Sequence, residues 1–144
     1  VAQKNGIKFY DAAISTTPES TLSAINTFNE NLGGIILGGF DRGYDFTALA
    51  KRLVALRIPV IILLPGSREK IELALRSRVL NSSIPQFPVI LHASDMPTAV
   101  SLLFTHCPTG SVALLSTATP SYDIFKNYKD QGDQFKKAVI HTRV

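Results

Sequence analysis

Short apolar runs recur along this chain about every 25 residues, and that period most limits how it can fold. The runs are Ile7–Tyr10, Ile35–Leu37, Val60–Leu64, Val89–Leu91 and Val112–Leu115. They are rich in β-branched residues and do not alternate with polar ones, the mark of strands buried on both faces. Between them, apolar residues fall at helical spacing. Leu22, Ile25 and Phe28 form one stripe, and Phe46, Leu49, Leu53 and Leu56 a second. Ile71, Ala74, Leu75 and Val79 form a third, and Val100, Leu103 and Phe104 a fourth. Strand and helix alternate throughout, which predicts parallel pairing, right-handed crossovers and helices on both faces. The expected fold is α/β: a single domain with a Rossmann-like, open, mainly parallel sheet. A last polar helix is expected from Gly132 to His141. The linking sequences do not resemble one another, so the period is the βα unit and not a solenoid repeat.

Local signals place the helix starts. Thr16-Thr17-Pro18-Glu19 offers a Thr cap, a Pro in the first turn and an early acid. Ser67 precedes Arg68-Glu69-Lys70 and can cap the third helix, and Ser94-Asp95 precedes the fourth. Composition then excludes several classes. With 45% hydrophobic and 18% charged residues, the chain is not intrinsically disordered. One cysteine excludes a disulfide scaffold, and the three histidines share no metal-ligand spacing, so no metal site is expected. No apolar run approaches the roughly 18 residues of a membrane span, and no basic-then-apolar leader is present. We therefore expect no membrane partner, and a cytoplasmic location. The net charge of +4 is spread out and there is no Trp, so a nucleic-acid partner is not expected. The chain opens at Val1 on a stretch running straight into a strand, as a piece of a longer polypeptide would.

In an open parallel sheet, ligands bind at the carboxyl ends of the strands. The turn after the first strand, Asp11 to Thr17, brings hydroxyls to a helix N-terminus, where free N–H groups favour an anion. Plain helix capping accounts for the same residues. The second turn, Gly38-Gly39-Phe40-Asp41-Arg42-Gly43-Tyr44-Asp45, carries an Arg whose planar fork matches a carboxylate or phosphate. A surface ion pair of Arg42 with Asp41 or Asp45 is the plainer alternative. The fifth turn brings Ser116, Thr119, Ser121 and Tyr122 to the same edge. Three hydroxyl-rich or cationic loops there point to an anionic small molecule. No phosphate-cradling loop is present, and no Ser-His-acid set can be assembled. Cys107 reads as a small buried hydrophobe. The chain looks like half of a site.

The turn Ile36 to Phe46 resembles the Lys- or Arg-bearing turn of the ATP-dependent Mur ligase family. Leu114-Leu115-Ser116-Thr117-Ala118-Thr119-Pro120-Ser121-Tyr122-Asp123-Ile124-Phe125-Lys126-Asn127-Tyr128, followed by Gly132-Asp133-Gln134-Phe135, resembles the "LLSPA…S.D.F.N…RG..F" signature of its D-glutamate-adding members. Tyr10 to Thr21 resembles their first turn, and the likeness covers essentially the whole chain. It implies a Mur ligase C-terminal domain over residues 1–144, without the N-terminal UDP-substrate domain and the central ATPase domain. It also implies an ADP-forming amide ligase in peptidoglycan precursor synthesis, acting as a monomer through an acyl phosphate. Its partners would be D-glutamate, UDP-N-acetylmuramoyl-L-alanine and the central domain, with ATP and Mg bound mainly by the latter. Carried over, Thr16, Arg42, Ser121, Tyr122 and Tyr128 match positions that hold D-glutamate, and no catalytic residue falls in this chain. Asp11, Ala12 and Ile14 fall where the family contacts the nucleotide, although Ala12 and Ile14 stand where relatives carry Asp and Lys. Thr117 replaces the Pro of the signature. A free-standing module binding an anionic metabolite, or a Mur ligase adding another amino acid, are the alternatives.

Overall fold

The computed structural model describes residues 2–80, 88–120 and 125–142. Among the described residues, six strands form one sheet: β1 (Ala2–Lys4), β2 (Ile7–Asp11), β3 (Leu32–Leu37), β4 (Val60–Leu63), β5 (Val89–His92) and β6 (Val112–Leu115). Their order is β1-β2-β6-β3-β4-β5. All five apolar runs became strands, and they are parallel to one another. The sixth strand, β1, was not anticipated as a separate element and is antiparallel to β2. Asn5 and Gly6 join the two, with φ of 55° and 77°. That Asn-Gly pair is the sequence signal of a tight hairpin.

Five α-helices among the described residues cover the sheet: α1 (Pro18–Phe28), α2 (Thr47–Ala55), α3 (Arg68–Leu80), α4 (Met96–His106) and α5 (Tyr128–His141). The first three pack side by side on one face, and α4 and α5 pack together on the other. The pleat deals the strand residues alternately to two cores. Ile36, Ile62, Ala113 and Leu115 join Phe9, Val100, Leu103 and Phe135 beneath α4 and α5. Ile35, Leu37, Ile61, Leu63 and Leu114 join Ile25, Leu49, Leu53 and Leu75 beneath α1, α2 and α3. This two-sided burial explains why the central strands read as unbroken apolar runs. β5 departs from that expectation: it lies at the sheet edge, and Val89 is 45% exposed.

Caps set the helix ends. Thr17 closes a capping box on α1: its Oγ1 accepts from Ser20 N at 3.1 Å, and Ser20 Oγ accepts from Thr17 N at 3.2 Å. Asp95 Oδ1 accepts from Thr98 N at 2.9 Å and starts α4. Asn127 Oδ1 accepts from Asp130 N at 2.8 Å, so α5 begins at Tyr128, a turn earlier than its apolar pattern indicated. Ser67 does not behave as expected, because its hydroxyl is buried without a hydrogen-bond partner among the described residues. At the far end of α5, Lys4 Nζ donates to the carbonyls of Val139 (3.1 Å), Ile140 (2.9 Å) and Thr142 (2.5 Å). A cation there satisfies terminal carbonyls and opposes the helix dipole. Among the described residues no helix is long and apolar enough to cross a membrane.

Candidate functional site

The strand order puts a topological switch point at β6. It lies between β2 and β3, yet the helix that follows it, α5, covers the opposite face from α1 and α2, which follow β2 and β3. The loop after β6 therefore leaves the carboxyl edge in the opposite direction from the loops on both sides of it, and such a point is where open α/β sheets bind ligands.

The three loops at that edge are stitched by backbone bonds. Ala118 N donates to Ser15 O at 3.2 Å, Gly38 N to Thr117 O at 3.0 Å, and Phe40 N to Pro120 O at 2.8 Å. Gly39 sits at φ 149°, and a Cβ there would meet Pro120 O at 2.5 Å and Thr119 Oγ1 at 2.7 Å. Only a residue without a side chain lets the second and fifth loops approach this closely. Ala118 adopts φ 66°, a left-handed conformation that costs free energy in a non-glycine residue.

Burial corrects part of the expectation for the fifth loop. Ser116 and Thr119 do not present their hydroxyls to the edge, since both are fully enclosed. Ser116 Oγ bonds Thr21 Oγ1 at 3.0 Å, fastening β6 to α1, and Thr119 Oγ1 has no partner among the described residues. Ser121 and Tyr122 lie outside the described residues. Cys107 is buried, as read, and burial pushes its thiol pKa up.

Thr16 stands half-buried just before the α1 cap, and the capping falls to Thr17. Arg42 is exposed on the second loop. The two carboxylates that the plainer ion-pair alternative would use have partners of their own. Asp41 Oδ1 accepts from Gly43 N at 2.8 Å, and Lys70 Nζ approaches Asp41 Oδ2 at 3.2 Å. Asp45 Oδ1 accepts from Thr47 N at 2.9 Å and from Thr47 Oγ1 at 2.6 Å. These bonds hold both carboxyls below the usual range, the Gly43 N–H being the largest influence on Asp41 and the Thr47 hydroxyl on Asp45. Lys70, on α3, was not singled out from the sequence, because a Lys in a helical first turn carries no motif.

Tyr128, half exposed at the start of α5, borders a cavity of about 260 Å³ together with Asp11, Ile14, Lys129 and Lys136. Asp11 and Ile14 thus share one cavity with Tyr128. The Asp11 carboxylate is already occupied: Oδ1 accepts from Ala13 N at 2.9 Å, and Oδ2 lies 3.6 Å from Lys136 Nζ. Ala12 faces the core, and its N–H donates to Leu115 O at 2.8 Å.

Comparison with known proteins gives this edge a context. The chain is 30% identical over 139 residues to the UDP-N-acetylmuramoylalanine–D-glutamate ligase of Acetivibrio thermocellus, covering 96% of this chain and 29% of that protein. It is 34% identical over 139 residues to the enzyme of the same name from Caldicellulosiruptor bescii, with 96% and 28% covered. The chain matches a domain of the UDP-N-acetylmuramoylalanine–D-glutamate ligases. It spans about 30% of the length of these ligases. A relative in Salinispora tropica, 32% identical over 142 residues, is a UDP-N-acetylmuramoyl-L-alanine–L-glutamate ligase, with 99% of this chain and 30% of that protein covered. No family model matches the chain. Likeness to the D-glutamate ligases extends over nearly all the residues that build the three-loop edge.

Proposed function

We propose that this chain is the C-terminal domain of an ATP-dependent ligase that joins D-glutamate to UDP-N-acetylmuramoyl-L-alanine in cytoplasmic peptidoglycan precursor synthesis. One observation carries the reading. A chain that aligns over nearly its own whole length with about 30% of these ligases carries an exposed arginine on a pinned turn at the sheet's switch point. Arg42 holds one glutamate carboxylate through its planar fork. Thr16 and Ser121 donate hydroxyl hydrogen bonds, Tyr128 packs beside the substrate, and the backbone at Tyr122 assists. A dicarboxylate calls for this combination of cation and neutral donors.

In the reaction, a carboxylate oxygen of the muramoyl-alanine attacks the terminal phosphorus of ATP, and ADP leaves. The amine of glutamate then attacks the acyl phosphate carbonyl, loses a proton, and expels phosphate. This chain's part is to hold the amine donor in place, which turns a bimolecular step into a local one. Its nucleotide wall fits a supporting role. Ala12 offers no charge, Ile14 is 69% exposed and apolar, and the carboxylate of Asp11 is taken. This reading leaves ATP and Mg mainly to the central domain of the complete ligase.

Enantiomer choice has a second reading, favoured by the Salinispora relative that is an L-glutamate ligase. Assay of the complete ligase with each enantiomer decides it: D-glutamate should be the substrate, and turnover of L-glutamate alone would reverse the assignment. In the same enzyme, Arg42→Ala should raise the KM for glutamate by about tenfold or more, the worth of one charge-assisted contact. An unchanged KM would remove Arg42 from the site. The isolated chain should form no amide and hydrolyse no ATP, because it lacks a phosphate-cradling loop. Phosphate release by the purified chain would contradict that.

A further inference from the structure

We propose that Lys70 is a positioning residue for Arg42, holding the arginine's turn against the first turn of α3 through the Asp41 carboxylate; this rests on Arg42 holding glutamate. Asp41 Oδ1 accepts from Gly43 N at 2.8 Å, so its side chain closes a ring around residue 42. The other end of that carboxylate is fixed by Lys70 Nζ, 3.2 Å from both Oδ1 and Oδ2. A second anchor lies three residues before Lys70: Ser67 N donates to Gly39 O at 2.7 Å. The turn is thus tied to the start of α3 at two points before Arg42, by backbone at Gly39 and by an ion pair at Asp41.

Energetics assign the ion pair a role other than stability. Its side chains are 51% and 40% exposed, and an exposed pair of this kind contributes little to folding. What it does fix is geometry. A long arginine on a glycine-flanked turn loses conformational freedom whenever it grips a ligand, and a turn ordered beforehand reduces that loss. The direct alternative is that Lys70 itself touches the anion. The two differ in what Asp41 should do. If Lys70 acts through Asp41, removing either partner has the same effect, and removing both has no more than one. If Lys70 binds the anion directly, removing the Asp41 charge leaves binding intact or strengthens it.

The test is ¹⁵N NMR of the chain, with relaxation of the Gly43 amide and the Arg42 Nε, and titration with D-glutamate. Lys70→Met and Asp41→Asn should each raise Arg42 and Gly43 mobility and weaken glutamate binding about three- to tenfold. The double variant should match the single ones, and Lys70→Arg should restore both readouts, all with Tm unchanged. Unchanged mobility in Lys70→Met would overturn the proposal, as would Asp41→Asn binding glutamate as well as the parent chain does. Arg42→Ala separates the two ideas. If it abolishes binding while Lys70→Met does not weaken it, positioning fails and the glutamate reading stands. If Arg42→Ala leaves binding unchanged, the glutamate reading fails, and the proposal with it.

Discussion

Gln131 is fully enclosed in the first turns of α5, and neither its amide oxygen nor its amide nitrogen has a partner among the described residues. A buried amide left unsatisfied costs on the order of 1–3 kcal/mol. Gln131→Met, close in shape and free of that demand, should raise stability by about 1 kcal/mol in chemical denaturation; a loss would mean that the amide has a use. Gly39 is the opposite case. Gly39→Ala would drive a methyl group against Pro120 O and Thr119 Oγ1 in a left-handed backbone, and should lower stability by about 1–3 kcal/mol. Sequence showed these residues unequally. Arg42 stood out because it is the one cation in a glycine-rich turn at a strand end. Ser116 and Thr119 misled, because the adjacency of two strands far apart in sequence decides which hydroxyls are enclosed.

The helices begin where short polar side chains can satisfy free N–H groups, and most of those starts were legible. Thr17 and Asp95 behave as caps should, while Ser67 does not, since its hydroxyl turns inward at a tightly packed turn. Asp95→Ala should lower stability by about 1 kcal/mol. The side-chain and backbone hydrogen bonds of Thr98 hold the Asp95 carboxyl below its ordinary 3.8. A depressed folded-state value means the cap contributes fully above pH 3.8 and is lost as pH falls through the lower folded value. The stability difference between Asp95→Ala and the parent should therefore shrink on acidification below pH 3.8, measured by denaturation at each pH. The strand count was harder to read. β1 is too short to show a periodicity, and only its Asn-Gly turn marks it. β5 carries the same apolar composition as its neighbours, and nothing local tells an edge strand from a central one.

At the scale of the whole molecule, β6 is the last of the described strands in sequence and sits between β2 and β3. Lys8 pairs with Val112, and Ile35 with Leu114, across most of the chain. A ribosome making this protein releases β2, β3, β4 and β5 with an open slot in the middle of the sheet. The piece from β3 to β5 can assemble early, but β2 has no strand beside it on that side until residues 112–115 emerge. Closing so long a loop is slow, and the unpaired edges flanking the slot are sticky meanwhile. The candidate ligand edge lies at the carboxyl end of the strand that fills that slot. The carboxyl edge is incomplete until residues 112–115 have emerged, so the strand that closes the sheet also completes the site.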